Sequence, residues 1–198
     1  EGFMAFFEGE EANRAVSHHD WQLEITPVDA DGETGEQALV IPQRQLARAG
    51  SGKKQKFVSG DLPFDVVVEN YEHNSRPLPS SLPVVQNEDL EEIDGHVLLG
   101  FDPDKTNERN TPGIYAKFVP KKGDPVKAII GGDRGVDPST GDFIPFKPYT
   151  LTFGEKKWNV QLVQEQFSIP FTVRLDKFHP DFHPGTRSAK NYQSDVTK

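Results

Sequence analysis

The sequence predicts an all-β fold: sandwich-like antiparallel sheets built from two related halves, with long loops. Three observations lead there. Glycine (17) and proline (16) are spread along all 198 residues, where they punctuate short runs of Val, Ile, Phe, Thr and Tyr. Several of those runs alternate apolar and polar residues, the period of a half-buried strand. Two run types recur, one copy of each in either half.

Residues 3–7, FMAFF, begin a strand or a short apolar anchor, and the acidic stretch after them is a turn or solvated edge. Trp21-Gln22-Leu23-Glu24-Ile25 alternates cleanly. Residues 29–37 form a polar hairpin turn, and Leu39-Val40-Ile41 is a short strand ended by Pro42. Residues 43–56 are basic and polar, with a turn at Gly50-Ser51-Gly52. Residues 62–71, LPFDVVVENY, are the clearest early strand.

Residues 73–95 carry Pro77, Pro79 and Pro83 and then an acidic run over 88–94. They read as the internal linker or long loop, with a weak helical signal over 87–93. One domain, 1–198, is expected, with halves 1–86 and 96–198 on either side of this linker. Strands follow at 96–101, 114–119 and 126–130, with a polar loop at 102–113, a glycine turn at 131–135 and a further loop at 142–148. Residues 149–153 and 158–162 alternate and form a hairpin through a four-residue loop, 154–157. Residues 169–178, IPFTVRLDKF, are the last strong strand before a Pro/Gly loop at 179–191 and a final strand from 192.

The repeat pairs LPFDVVVENY with IPFTVRLDKF, and WQLEI with WNVQL. Alternation places Phe64, Val66 and Val68 on one face, and Phe171, Val173 and Leu175 on the corresponding face. Pro63 and Pro170 cannot donate to a ladder and so suit strand starts.

Only 34% of residues are hydrophobic and the mean hydropathy is -0.62, yet 14 Phe, 4 Tyr and 2 Trp supply a core. A net charge of -9 disfavours nucleic acid and anionic lipid and favours basic protein partners. The absence of cysteine excludes disulfides, thiol catalysis and covalent haem attachment through a Cys-x-x-Cys-His site. No window reaches the roughly 18 apolar residues that span a bilayer. The chain begins at Glu1 without a signal peptide, so a piece of a longer protein, without its membrane parts, is expected.

The constellations with the residue types of chemical sites read as structural. His179 and His183 have metal-like spacing, but Pro180 argues against the helix this spacing requires. His18 and His19, being adjacent on a strand, face opposite sides. Asp29, Asp31 and Glu33, like Asp102, Asp104 and Glu108, fall short of a calcium loop. Gly131-Gly132-Asp133-Arg134-Gly135 lacks the Lys-[Ser/Thr] of a phosphate loop.

The last 30 residues resemble the ResB family signature near the end of its extracytoplasmic region. The matching positions are Ile169-Pro170-Phe171, Val173, Leu175-Asp176-Lys177-Phe178, Pro184-Gly185-Thr186 and Lys190-Asn191-Tyr192-Gln193-Ser194-Asp195-Val196. His183 stands where the family has an aromatic, and Ala189 where it has proline. Phe7-Glu8-Gly9-Glu10 is similar to the family's strand-to-Gly-Glu stretch.

The resemblance implies a β-rich domain on the extracytoplasmic (periplasmic) side of the bacterial inner membrane, attached through segments outside this chain. It implies a role in cytochrome c maturation beside a ResC/CcsA-like membrane protein, with binding of apocytochrome c or a partner. It implies no enzyme activity and no cofactor of the domain's own, since haem is handled by the complex. Pro170, Phe171, Leu175, Asp176, Phe178, Pro184, Gly185, Thr186, Ser194 and Val196 are then fold determinants rather than catalytic groups. The alternative is a secreted β-sandwich module binding carbohydrate or a cell-surface partner, for which Trp21 and Trp158 would have to be exposed. A hydrolase, the third class, would need a deep cleft with convergent carboxylates.

Overall fold

The structure, a computed structural model, describes residues 2–4, 7–29, 31–36, 39–50, 52–86, 88–136, 143–145, 147–183 and 189–198. It is all-β, with one four-residue helix, α1 (Gln43–Leu46). The first strands are β1 (Gly2–Phe3), β2 (Glu11–Val28), β3 (Leu39–Pro42), β4 (Gln55–Phe57) and β5 (Phe64–Glu72). Then come β6 (Ser75–Pro79), β7 (His96–Gly100), β8 (Gly113–Pro120), β9 (Val126–Gly131), β10 (Arg134–Val136) and β11 (Phe143–Pro145). The last are β12 (Tyr149–Phe153), β13 (Lys156–Phe182) and β14 (Ala189–Thr197).

One sheet has the order β1-β2-β13-β12, with β3 also on β2 and β14 on β13. A second has the order β4-β5-β8-β9, and β6-β7 and β10-β11 form two-stranded sheets. The chain groups into two compact units, one of residues 1–18 and 165–198, the other of residues 19–164. β2 and β13 contribute to both.

Residues 19–164 form a sandwich whose core follows from strand alternation. Trp21, Leu23 and Ile25 of β2, with Trp158, Val160 and Leu162 of β13, meet Phe64, Val66 and Val68 of β5 and Ile114, Ala116 and Phe118 of β8. Rings lock the layers together. Phe64 stands edge-on to Trp158 at 5.7 Å and to Phe118 at 5.8 Å, and lies 5.1 Å from Phe153. Phe118 stacks on Tyr149 at 6.5 Å. Behind the core face of β2, Gln22 and Glu24 are also buried, and the Gln22 amide donates to the Glu24 carboxylate at 2.6 Å.

The two repeat segments that begin Leu62-Pro63-Phe64 and Ile169-Pro170-Phe171 share a feature that alternation alone would miss. Between β5 and β8 the register slips at Glu69, and between β13 and β14 it slips at Asp176. These are aligned positions of the repeat, and each is the extra residue of a β-bulge. The bulge changes which residues face inward, so Tyr71 joins Phe64, Val66 and Val68 in the core. Each bulge acid is held by cations or hydroxyls: Glu69 by Lys54 (2.5 Å) and Lys127 (3.4 Å), Asp176 by Arg174 (2.7 Å) and Thr197 (2.5 Å).

Burial, however, separates the copies. Phe64 is 1% exposed and its counterpart Phe171 39%. Pro63 precedes β5 as expected, whereas Pro170 lies inside β13 instead of starting a strand. It falls before the residues that β14 pairs, so no bond of that ladder needs its missing N–H.

Four loop expectations need correction. Residues 73–95 are not simply a linker, because Ser75–Pro79 pairs with His96–Gly100 despite Pro77 and Pro79. The expected helix over 87–93 is not formed by its described residues; a 3-10 turn at Pro83–Val85 precedes them. The 149–162 hairpin turns through two residues rather than four, with Phe153 paired to Lys156 across Gly154-Glu155. Residues 143–145 of the expected final-half loop are strand β11.

Candidate functional site

Two surfaces stand out, one in each unit. In the unit of residues 1–18 and 165–198, β14 brings the two signature blocks into register: Leu175 faces Val196 and Phe178 faces Ser194. Phe178 stacks on Tyr192 with centroids 5.8 Å apart. The Phe7–Glu10 turn lies on the same stretch of β13. Gly9 N–H donates to the Leu175 carbonyl (2.7 Å), Leu175 N–H to the Glu10 carbonyl (3.2 Å), and Phe178 N–H to the Glu8 carboxylate (2.7 Å).

Pro170, Phe171, Leu175, Asp176 and Phe178 thus lie on β13, and Ser194 and Val196 on β14. Pro184, Gly185 and Thr186 lie outside the described residues. This unit exposes much apolar surface: Phe167, Phe171, Phe178, Tyr192 and Val196 are all open to solvent. Lys198 covers one face of the Phe171 ring, with its ammonium 4.2 Å from the centroid.

Asp176 is held below the usual carboxylate range, first by the Thr197 hydroxyl and then by the Arg174 guanidinium. A carboxyl whose folded value is depressed contributes stability that is present above its unfolded value, near 3.8, and lost as pH falls through the lower folded value. Amide protection along residues 174–177 and 195–197, taken relative to the intrinsic exchange rate at each pH, is therefore expected to be lower at pH 3 than at pH 6. Asp176→Asn should abolish most of that difference, and equal pH sensitivity in the variant would contradict the assignment.

The second surface is a cleft of about 430 Å³ in the sandwich unit, between β9 and β12. Ile129, Pro148, Tyr149 and Val160 give it apolar walls, and His96, Asp133, Lys147, Thr150 and Gln161 give it polar ones. Burial and the negative charge of Asp94 push the Tyr149 hydroxyl above its ordinary value. Beside the cleft runs the acidic segment 88–94. Ile93 and His96 exchange both backbone hydrogen bonds, at 2.8 and 3.0 Å, around Asp94-Gly95 with φ of 50° and 74°. That is a type I′ turn, and Asp-Gly is its favoured sequence. The Tyr115 hydroxyl donates to the Glu91 carbonyl and accepts from Leu98 N–H, both at 2.9 Å. The Lys127 ammonium also binds the Glu91 carboxylate; that bond, with Glu69 adding, raises the lysine's pKa.

Tyr115→Phe should strand the buried Leu98 N–H and release residues 88–94. A loss of about 1–3 kcal/mol is expected, read by chemical denaturation. An unchanged midpoint would mean that another acceptor replaces the phenol.

Among the described residues no group of three or more His, Asp or Glu could hold a metal. His179 binds the Asp195 carboxylate at 2.9 Å. Asp29 accepts from the Asp31 and Glu33 N–H groups, and Asp104 from Thr106 N–H, so both acidic loops use a carboxylate to cap their own turn. Gly132 bridges to Leu162, beside a strand end rather than a phosphate loop. Trp21 (3% exposed) and Trp158 (5%) are core residues and offer no face to a sugar. Sequence reasoning did not find the cleft; the alternation of 149–153 and the Asp94-Gly95 pair were the signals available. No helix of the described residues is long and apolar enough to cross a membrane.

No protein-family model matches the chain, and no curated protein matches it.

Proposed function

We propose that the chain is a non-catalytic, extracytoplasmic domain of a ResB-like membrane protein in cytochrome c maturation, binding apocytochrome c or a ResC/CcsA-like partner. One observation carries this reading. Three of the four segments that resemble the family lie together: 169–178 and 190–196 run along the β13 and β14 pair, and the turn at 7–10 hydrogen-bonds to β13, the Glu8–Phe178 contact spanning 170 residues of sequence. The spacing of the Leu175-Asp176-x-Phe178 motif also acquires a cause, since its acid occupies a bulge.

The net charge of -9 supports a basic partner, and haem stays with the membrane segments and the partner in this reading. Extending the reading frame on both sides tests the family. Membrane-spanning helices are expected, whereas a signal peptide with no spanning helix would overturn the reading and favour a secreted module. Affinity for unfolded, haem-free cytochrome c polypeptide is expected to fall as salt rises. It should fall further on replacing Glu88, Glu91 and Glu92 by Gln. Binding indifferent to both changes would remove the electrostatic part.

A further inference from the structure

We propose that the free edge of β12 and the adjoining cleft form the site for an extended basic polypeptide. The peptide adds as a strand along Thr150 and Thr152 and seats one apolar side chain between β9 and β12. This deepens the polypeptide-binding part of the proposed function and rests on it.

The two-residue turn fixes which backbone groups are free. Phe153 and Lys156 flank it and exchange both hydrogen bonds; along an antiparallel ladder the bonded pairs alternate. The bonded pairs are then Phe153–Lys156, Leu151–Trp158 and Tyr149–Val160. Thr150 and Thr152 lie at the pairs between them and turn their N–H and C=O groups away from β13. Among the described strands β12 has no neighbour on that side. Both threonines are exposed while Leu151 enters the core, so the edge is anchored on one face and open on the other. A paired-on-one-side strand of this kind is a template for strand addition.

The cleft and its surroundings define what would add. Ile129, Pro148 and Tyr149 offer apolar contact, while Lys147 disfavours a cation inside. Outside it, Glu88, Asp89, Glu91, Glu92 and Asp94 are all exposed. Asp94 stands close enough to bias the Tyr149 hydroxyl. An apolar side chain with basic residues flanking it satisfies both requirements.

The test uses the purified chain and unfolded, haem-free cytochrome c polypeptide, followed by fluorescence anisotropy. A Thr150→Pro/Thr152→Pro double variant deletes the two outward N–H groups without touching the ladder to β13; proline is tolerated at such edge positions. Binding is expected to weaken tenfold or more. A Thr150→Ala/Thr152→Ala variant, which removes the side chains but keeps both outward N–H groups, should lose clearly less affinity than the proline variant, and equal losses would contradict the strand-addition geometry. If the proline variant folds and binds unchanged, this site is wrong while the polypeptide-binding reading stands. If the wild type does not bind, the reading falls and the site with it. Should the proline variant fail to fold, hydrogen exchange of the wild type decides. The Thr150 and Thr152 amides must gain protection when the polypeptide is added, and unchanged exchange overturns the proposal.

Discussion

Phe64→Ala should cost about 3–5 kcal/mol, the range for a buried phenylalanine cut to alanine. Phe64 is the ring through which both layers of the sandwich meet, touching Phe118 on its own sheet and Phe153 and Trp158 on the other. With Val66, Val68 and Leu62 around it nearly inaccessible, little can collapse into the void. Domains of this kind hold only about 5–15 kcal/mol in total, so the thermal midpoint should drop by about 6–20 °C. The repeat supplies an internal control. Phe171→Ala removes the aligned ring from a surface-exposed position and should cost less than about 1 kcal/mol. Equal losses at the two sites would mean that the ring at 171 is as well packed as the one at 64.

Gly132→Val is expected to produce the next largest effect. A Cβ at this position would stand 2.5 Å from the Thr111 methyl and 3.0 Å from the Trp21 ring. Neither neighbour yields easily: Thr111 is β-branched and stiff, and Trp21 is fixed in the core. Gly132 also donates to the Pro112 carbonyl at 2.9 Å and bridges to Leu162, so the backbone is held on both sides. Overpacking of this kind costs about 1–3 kcal/mol, or about 2–4 °C of midpoint for each kcal/mol in a chain of this size. Thermal unfolding followed by circular dichroism measures it. An unchanged midpoint would show that Trp21 can move aside, and the core would then be looser than its burial implies.

These two sites also mark how far the sequence could be read. The alternation in Trp21-Gln22-Leu23-Glu24-Ile25 and Trp158-Asn159-Val160-Gln161-Leu162 was sufficient to foresee two core-facing strands. Phe64, Val66 and Val68 were equally plain, because a single face of a central strand must be apolar. Period-two reasoning failed where the period itself breaks. The three-residue step from Val68 to Tyr71 keeps both inside only through the bulge at Glu69. β6 was hidden by Pro77 and Pro79, which demote a strand unless it sits at an edge. The continuity of β13 through Pro170 was hidden for the same reason.

The candidate surfaces were less legible than the fold, because each is assembled from distant segments. Glu8 meets Phe178, and Ile129, Tyr149 and Val160 share one cleft. Nothing local in those stretches announces the meeting. The resemblance of residues 169–178 and 190–196 located the first surface without revealing its geometry. The second had only weak signals: the threonine-bearing edge strand and the Asp94-Gly95 turn.

Participation in cytochrome c maturation is measured most directly in the organism that encodes the chain. The coding region for residues 1–198 is deleted in frame, and membrane and periplasmic fractions are stained for covalently bound haem. The c-type cytochrome bands are expected to disappear while apocytochrome remains detectable, and expression of the intact gene should restore them. Undiminished haem-bearing bands in the deletion strain would contradict that participation.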